Sequence, residues 1–138
     1  MKSIELQRKV RWMDADAAGR IYYPRIFDYA GECEWELLHS IGIKRKELGD
    51  TYDFPRVHAE CHFKKILELG ESFTIRFWAA KLGRTSIRYQ FEVIPDDEAH
   101  EIAATGAVTV VVLHKGKPSP IPPQIRSAFE ANEFEIRD

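Results

Sequence analysis

A single long amphipathic helix, in a chain that otherwise has the pattern of strands, is the feature that most limits how this sequence can fold. Between Pro24 and Ile41 the apolar residues recur every three or four positions, which is the period of a helix with one buried face. Pro24 suits the first helical position, and Gly42 suits the position just past the last turn. One helix cannot bury its own apolar stripe, so the strands must supply the surface that covers it.

Segments in which apolar and polar residues alternate lie on both sides of this helix. The alternation predicts one strand before the helix, over Ile4–Trp12, with Trp12 on the apolar side. Four more strands are predicted after the helix, over Val57–Lys64, Ser72–Lys81, Ser86–Ile94 and Ile102–Leu113. The turn Lys81–Ser86 joins the second and third of these four into a hairpin.

The alternation also predicts which face of each strand is buried. In the strand Val57–Lys64, the odd-numbered residues are expected to point inward and the even-numbered residues outward. The strand Ile102–Leu113 is small and β-branched throughout, as expected of a strand that is covered on both faces. Since few helices are available, we expect another subunit to cover part of the outer surface.

The order of elements is a strand, a long helix and four strands linked by short turns, with a short amphipathic helix after Pro122 and Pro123. This order predicts an α+β fold with an antiparallel sheet. We expect the long helix to be central and to be wrapped by a curved five-stranded sheet. The length of 138 residues predicts a single domain over residues 1–138. The composition, 44% hydrophobic and 30% charged, is that of an ordinary globular protein.

The charge and the hydropathy of the chain disfavour several classes of partner. A formal net charge of −2 provides no field for a polyanion, so nucleic acid is not expected as a partner. The sequence contains no apolar run near the roughly 20 residues that span a bilayer, and no apolar signal-peptide core. We therefore expect a cytoplasmic protein with no membrane partner. Cys33 and Cys61 fall on apolar faces and are expected to be reduced core thiols.

The sequence lacks the motifs of several enzyme classes. It has no G-x-S-x-G, no phosphate-binding loop, no dinucleotide-binding motif and no H-E-x-x-H. Serine hydrolase, nucleotidase, dehydrogenase and zinc protease functions are therefore not indicated. His58 and His62 are four residues apart on a predicted strand, which separates their Cα atoms by about 13 Å, too far to share a metal ion easily. We expect no metal site.

Two aspartates, Asp14 and Asp16, lead from the first predicted strand through a glycine turn into the long helix. Their spacing has a superficial likeness to a calcium loop, but Arg25 stands where that loop needs a bidentate glutamate. On spacing alone, the aspartates are equally well explained as turn formers. A helix start also offers unpaired N–H groups that can hold a carbonyl oxygen while a carboxylate attacks it or activates water. Thioester hydrolysis needs little more than this arrangement.

The segment DADAAGRIYYP, residues 14–24, matches a known signature. It resembles the pattern D-x-D-x-x-G-x-[VI]-[YW]-[YFH] of the 4-hydroxybenzoyl-CoA thioesterase family of hot-dog proteins. The resemblance extends along almost the whole chain, with the family's helix at Pro24–Ser40 and its later strands at the four segments given above. It implies a hot-dog-fold acyl-CoA thioesterase.

The resemblance implies a role for each residue that matches the signature. Asp16 would be the catalytic carboxylate, as nucleophile or general base, and the backbone N–H of Tyr23 would polarise the thioester carbonyl. Asp14 would have a supporting role. Some bacterial relatives carry histidine at the position of Tyr23, so a mechanism that requires that imidazole is not expected here.

The resemblance also implies where the substrate binds. Family members hold the CoA phosphates at the hairpin turn, which here supplies Lys81, Arg84, Thr85 and Ser86. The acyl pocket is expected to be walled by helix residues, namely Phe27, Ala30, Gly31 and Glu34. No separate cofactor is expected, because coenzyme A is part of the substrate.

Assembly and substrate follow from the resemblance only in outline. It implies a homodimer or homotetramer with two helices back to back over a continuous sheet and active sites at the subunit interface. The acyl group is aromatic, such as 4-hydroxybenzoyl, or short-to-medium-chain aliphatic, with acyl carrier protein thioesters as an alternative. A non-catalytic acyl-CoA binding module is another alternative, since it needs the hairpin turn but no reactive Asp16. A hot-dog dehydratase is disfavoured, because no histidine precedes His39.

Overall fold

The computed structural model describes residues 3–132, which form two α-helices and eight strands. The helices are α1 (Arg25–Ser40) and α2 (Pro123–Ala131). The strands are β1 (Ile4–Lys9), β2 (Tyr52–Asp53), β3 (Arg56–Phe63), β4 (Ser72–Leu82), β5 (Ser86–Pro95), β6 (Ala104–Val111), β7 (Leu113–His114) and β8 (Lys117–Pro118). Short 3-10 turns lie at Trp12–Asp14 and Arg45–Leu48.

The main sheet has five strands, all antiparallel, in the order β1-β4-β5-β6-β3. In β5 every second residue is buried and the residues between are half-buried, as the period-two pattern predicts. The buried residues of β4 and β5 pair across the sheet, for example Phe77 with Phe91. The predicted five-stranded antiparallel sheet and its β4–β5 hairpin are confirmed.

Helix α1 packs its apolar stripe against β4 and β1. Its buried residues include Ile26, Tyr29, Cys33 and Leu37, which recur at helical spacing. The ring of Tyr29 meets that of Phe73 on β4 edge to face, with centroids 5.1 Å apart. Pro24 is the N-cap rather than the first helical residue, because its carbonyl already accepts from the N–H of Phe27.

Two predictions about the apolar faces are wrong. Strand β1 ends at Lys9, and Trp12 lies in a 3-10 turn with 84% of its surface exposed. Val57 and Phe63 on β3 are also exposed rather than inward. The reason is that β3 is an edge strand of the sheet, with no neighbour on one side and a bulge between Arg56 and His58. Alternation predicts the face of a residue but not whether that face is covered.

A second, three-stranded sheet was not predicted from the sequence. Strands β2, β7 and β8 are two residues each and pair in the order β2-β7-β8. The rings of Tyr52 and His114 stack across β2 and β7, with centroids 4.3 Å apart. Through the pairing of β2 with β7, this sheet connects the segment that follows α1 to the segment that follows β6.

The two ends of the main sheet carry different features. The loop between β1 and α1 is hydrogen-bonded to the segment just before β4. The N–H of Ile21 donates to the Leu67 carbonyl (2.8 Å), and the N–H of Leu69 donates to the Gly19 carbonyl (2.9 Å). The β4–β5 turn, Gly83–Thr85, lies at the other end of β4. The eleven residues of β4 span about 33 Å. The two halves of the predicted site therefore lie at opposite ends of the sheet.

Both cysteines are free, as predicted, and neither resembles a nucleophile. Burial raises the pKa of the Cys33 thiol to about 12 and that of Cys61 to about 11, so both are protonated at neutral pH. Within residues 3–132, no helix is long and apolar enough to cross a membrane.

Candidate active site

Asp16 begins a tight turn in the loop between β1 and α1. Its backbone N–H donates to the Arg20 carbonyl (2.7 Å), and its carbonyl accepts from the Gly19 N–H (3.0 Å). Gly19 has a φ of +78°, a left-handed conformation that favours glycine. Ala15 and Ile21 form a bridge just before and after this turn. We call residues 14–23 the Asp16 loop.

The two carboxylate oxygens of Asp16 have different surroundings. Oδ1 accepts hydrogen bonds from the N–H groups of Ala18 (2.9 Å) and Arg20 (3.2 Å), which fixes the side chain on its own turn. Oδ2 accepts no hydrogen bond from any residue that the structure describes. Asp16 is exposed. One oxygen therefore holds the side chain, and the other is available to a substrate or a water molecule.

The backbone N–H of Tyr23 is the free donor at the start of α1. The N–H groups of Arg25, Ile26 and Phe27 donate to carbonyls three residues earlier, at 2.8, 3.3 and 3.1 Å. The expectation that several N–H groups of the helix are free is therefore wrong, because tight turns before α1 use them. The N–H of Tyr23, in contrast, donates to no acceptor within residues 3–132, and Pro24 has no N–H. Tyr23 keeps the donor that the resemblance assigned to it.

Asp14 is a buried anchor of the Asp16 loop rather than only a turn former. Its side chain is 1% exposed, and its carboxylate accepts from Arg11 Nε (2.9 Å) and from the Tyr29 hydroxyl on α1 (2.5 Å). Its backbone carbonyl accepts from the Tyr22 N–H (2.7 Å). The hydrogen bond from Arg11 is the largest cause of the lowered pKa of Asp14, which is ionised at neutral pH. Asp14 thus links the residues before the Asp16 turn, the residues after it and helix α1 to one another.

A cleft of about 1400 Å³ opens between the second half of α1, the segment 43–56 and the end of the sheet that carries the β4–β5 turn. Gly31 and Glu34, two of the residues predicted to wall an acyl pocket, line this cleft, whereas Ala30 is buried in the core and does not. Phe27 does not line it and packs edge to face on Phe91 instead, with ring centroids 6.4 Å apart. A Cβ added at Gly31 would meet no atom within 4 Å, so the space directly beside this helix position is open.

A polar cluster lies in the wall of this cleft. Glu34 on α1 is 8% exposed and pairs with Arg56 at the start of β3. Burial raises the pKa of Glu34, and the Arg56 charge opposes that effect. Tyr89 on β5 lines the same cleft and is 1% exposed. Neither Arg56 nor Tyr89 was predicted as a site residue, because each lies in a strand pattern that gives no sign of a polar partner.

The β4–β5 turn is held in place by the segments around it. The Gly83 carbonyl accepts a hydrogen bond from Arg126 Nη2 on α2 (2.5 Å). The carbonyls of Arg84 and Thr85 accept from the backbone N–H groups of Ile121 and Val112, both at 2.9 Å. The side chains of Lys81 and Arg84 are exposed and make no ion pair with any residue in the described range 3–132. Thr85 and Ser86 are half-buried beside them. The turn thus presents two unpaired cations on a fixed backbone.

The structure brings the predicted residues together in two groups. Asp16 and Tyr23 share one loop, while Gly31 and the β4–β5 turn lie toward the other end of the sheet. Neither Asp16 nor Tyr23 lines the cleft. Within one copy of the chain, the Asp16 carboxylate and the cleft are therefore separate features.

Known proteins match nearly the whole chain. The family model described as Thioesterase-like superfamily matches residues 10–129. A 1,4-dihydroxy-2-naphthoyl-CoA hydrolase from Nostoc punctiforme is 26% identical over 132 residues, which cover 94% of this chain and 88% of the relative.

Solved structures resemble the fold just described. That of a gentisyl-coenzyme A thioesterase has a TM-score of 0.79 and 28% identity, and covers 91% of this chain and 99% of that one. A 1,4-dihydroxy-2-naphthoyl-CoA thioesterase from Synechocystis has a TM-score of 0.83 at 18% identity, over 92% of this chain and 95% of that one. At that identity the second likeness concerns the fold alone.

Proposed function

Because the chain belongs to the thioesterase-like superfamily, we propose that it hydrolyses the thioester bond of an acyl-CoA, with Asp16 as the catalytic carboxylate. The Tyr23 N–H is the donor that polarises the thioester carbonyl. The observation that carries the proposal is the free Oδ2 of Asp16, on a side chain whose Oδ1 is fixed by two N–H groups. The relatives that are named as CoA thioester hydrolases support the same reaction.

The hot-dog fold predicted from the sequence is the fold of this chain, with its antiparallel sheet and packed helix. The finer assignment to the 4-hydroxybenzoyl-CoA thioesterase family is part of the proposal. So is the acyl group. The named substrates of the relatives, 1,4-dihydroxy-2-naphthoyl-CoA and gentisyl-CoA, favour an aromatic acyl group over a short-to-medium aliphatic one.

The reaction needs two groups from the protein. As a general base, Asp16 takes a proton from water, the resulting hydroxide attacks the carbonyl carbon, and the carbon–sulfur bond breaks to release the CoA thiolate. As a nucleophile, Oδ2 attacks the same carbon, the carbon–sulfur bond breaks to release the CoA thiolate and leave a mixed anhydride, and water then hydrolyses the anhydride to the free acid and the Asp16 carboxylate. In both routes the Tyr23 N–H stabilises the charge that develops on the carbonyl oxygen.

A thiol-release assay across a panel of aromatic and aliphatic acyl-CoA esters tests the proposed function. We expect turnover of at least one ester, with aromatic esters preferred. Binding of acyl-CoA without release of thiol would support the binding-module alternative, in which Asp16 has no chemical role. Release only from acyl carrier protein thioesters would identify the other alternative.

We place the CoA phosphates at the β4–β5 turn, where Lys81 and Arg84 are exposed and unpaired. We expect Arg84→Ala to raise KM for acyl-CoA by about tenfold and to leave kcat nearly unchanged. The reason is that a phosphate contact is made equally in the ground state and the transition state. Steady-state kinetics at low salt measures both constants. The matched control is Arg76→Ala, which removes an arginine of β4 that pairs with Glu5 (2.9 Å) and lines neither this turn nor the cleft. An unchanged KM in Arg84→Ala would place the CoA site elsewhere.

We propose that the complete site forms between two copies of the chain. Within one protomer, roughly the length of β4 separates the Asp16 loop from the β4–β5 turn, and neither Asp16 nor Tyr23 lines the cleft. The edge strand β3 has free backbone groups that a second β3 can pair with antiparallel, which reverses the direction of α1 in the partner. That reversal brings the Asp16 loop of one copy toward the cleft of the other.

Mixing two inactive variants tests this shared site. Asp16→Asn removes the carboxylate, and Gly31→Trp adds bulk to the cleft at a position where a Cβ meets no atom within 4 Å of its own protomer. We expect the mixture to regain activity, because each hybrid dimer contains one site with an intact Asp16 from one copy and an open cleft from the other. Sedimentation establishes that both variants still associate. If the mixture stays inactive, or if the wild-type chain sediments as a 16.0 kDa monomer at micromolar concentration, the shared site is wrong.

A further inference from the structure

Three side chains that can bind a metal ion form a row along the edge strand β3. His58, Glu60 and His62 are each two residues apart, so they point to the same face of the sheet. That face is the one away from α1, because Cys61, which lies between two members of the row, packs against the hydrophobic core. We call these three residues the β3 row. The proposed thioesterase site uses none of them.

The side chains of the β3 row converge on one carboxylate oxygen. Although about 13 Å separates the Cα atoms of the two histidines, His58 Nε2 lies 3.6 Å and His62 Nε2 lies 3.8 Å from Oε2 of Glu60. The other oxygen, Oε1, accepts a hydrogen bond from Arg88 Nη2 on β5 (3.2 Å). That bond is the largest cause of the lowered pKa of Glu60, so the carboxylate is ionised at neutral pH, as a metal ligand must be.

One copy of the row does not complete a metal site. Within residues 3–132 of one chain, no group of three histidine, cysteine or acidic side chains is arranged to hold a metal ion. The row lies, however, on a strand whose outer edge is unpaired in one copy. The missing ligands can therefore come from the β3 row of a second copy, in the antiparallel β3–β3 pairing proposed above.

This pairing brings the two rows together in each register that centres on the middle of β3. Directly opposite residues of an antiparallel pair point to the same face, with Cβ atoms about 4.5–5.5 Å apart. Both α1 helices therefore stay on one face of the joined sheet only when the pairing is centred on a residue. Beyond the bulge of β3, the middle residues are Ala59, Glu60 and Cys61.

The centre of the pairing decides which ligands meet. When it is Ala59, His58 lies opposite the partner's Glu60. When it is Cys61, His62 lies opposite the partner's Glu60. When it is Glu60, His58 lies opposite the partner's His62 and the two Glu60 residues face each other. Each of these registers collects at least two imidazoles and two carboxylates from the two copies.

We propose that the β3 rows of two copies of the chain together bind a divalent transition-metal ion, such as zinc, at the seam between the copies. The proposal rests on the shared site of the proposed function. Imidazole nitrogen and carboxylate oxygen are both ligands that zinc takes, and a closed site needs about four of them, which two copies supply. Because the ion lies on the face of the sheet away from α1, it stabilises the association and takes no part in hydrolysis.

Sedimentation of the full-length protein, freed of metal with EDTA and then titrated with zinc chloride, tests the inference. We expect zinc to lower the dimer dissociation constant by at least about tenfold, since it binds only the associated form. The double variant His58→Asn/His62→Asn should lose this shift and keep the metal-free dissociation constant. The matched control is His100→Asn, which changes an exposed histidine between β5 and β6 at a φ of +49° that asparagine tolerates.

The single variants identify the register. Loss of the zinc effect in His58→Asn alone places the centre at Ala59, loss in His62→Asn alone places it at Cys61, and loss in both places it at Glu60. A zinc effect that is absent from the wild type, or that the double variant keeps, overturns the inference. A dimer that tightens on acidification to about pH 6 but not with zinc would assign the histidines to proton binding and overturn it too.

The thioesterase function is tested apart from the metal site. Thiol release at protein concentrations far above the metal-free dissociation constant should be the same with and without zinc. Release that stands while zinc has no effect on association overturns only the metal site. A wild-type chain that stays monomeric with zinc overturns both the metal site and the shared site, and release from no acyl-CoA ester overturns the proposed function itself.

Discussion

Asp16→Asn is expected to lower kcat by at least about 100-fold, which corresponds to about 2.7 kcal/mol of barrier. Asparagine keeps an oxygen at the Oδ1 position, so the hydrogen bonds from the Ala18 and Arg20 N–H groups survive and the turn is preserved. What is lost is the basicity and the nucleophilicity of Oδ2. The measurement is single-turnover thiol release on the best ester of the panel.

Two neighbouring aspartates serve as controls for this variant. Asp14→Asn is expected to lower kcat much less, since the Asp14 carboxylate is buried against Arg11 and Tyr29 and does not reach substrate. Asp28→Asn changes an exposed carboxylate on α1 that pairs with Arg25 (3.1 Å), and it should leave kcat unchanged. A folded Asp16→Asn protein that turns over acyl-CoA at nearly the wild-type rate would show that Asp16 is a structural turn residue.

Asp14→Ala is expected to lower the free energy of unfolding by about 2–4 kcal/mol, the range for removing one member of a buried hydrogen-bonded cluster. The substitution leaves the Tyr29 hydroxyl buried without its main acceptor and frees Arg11 from the loop. Urea denaturation followed by fluorescence measures the change. Asp28→Ala is the matched control and should cost no more than about 1 kcal/mol, because it removes only an exposed ion pair.

The same anchor predicts how stability depends on pH. The pKa of Asp14 is lower in the folded chain than in the unfolded one, where it is about 3.9. Its contribution to stability is therefore fully present above that value and is lost as the pH falls through the folded pKa. The stability difference between wild type and Asp14→Ala should shrink as the pH falls from 6 toward 3. A difference that stays constant over this range would contradict the anchor.

These two aspartates show where sequence reasoning was sufficient and where it was not. The D-x-D pattern and the glycine predicted the tight turn before α1, because such a turn is encoded by adjacent residues. The roles of Asp16 and Tyr23 stay predictions. The burial of Asp14 depends on Tyr29, fifteen residues later, and on how α1 packs on the sheet. No local pattern contains that contact.

The sequence by itself determined the type and the approximate bounds of α1, of the five long strands and of α2, since hydrophobic period and end signals are properties of consecutive residues. It also determined the β4–β5 turn that carries Lys81 and Arg84. It missed the short strands β2, β7 and β8, because two-residue strands are too short to show a period.

Only the tertiary structure decided which segments meet. It placed β3 at the edge of the sheet, so the apolar residues Val57 and Phe63 are exposed. It also put the Asp16 loop and the β4–β5 turn at opposite ends of β4. It also brought Glu34 of α1, Arg56 of β3 and Tyr89 of β5 into one wall. The physical reason is that strand order and register set these distances, and both depend on contacts between residues far apart in the chain.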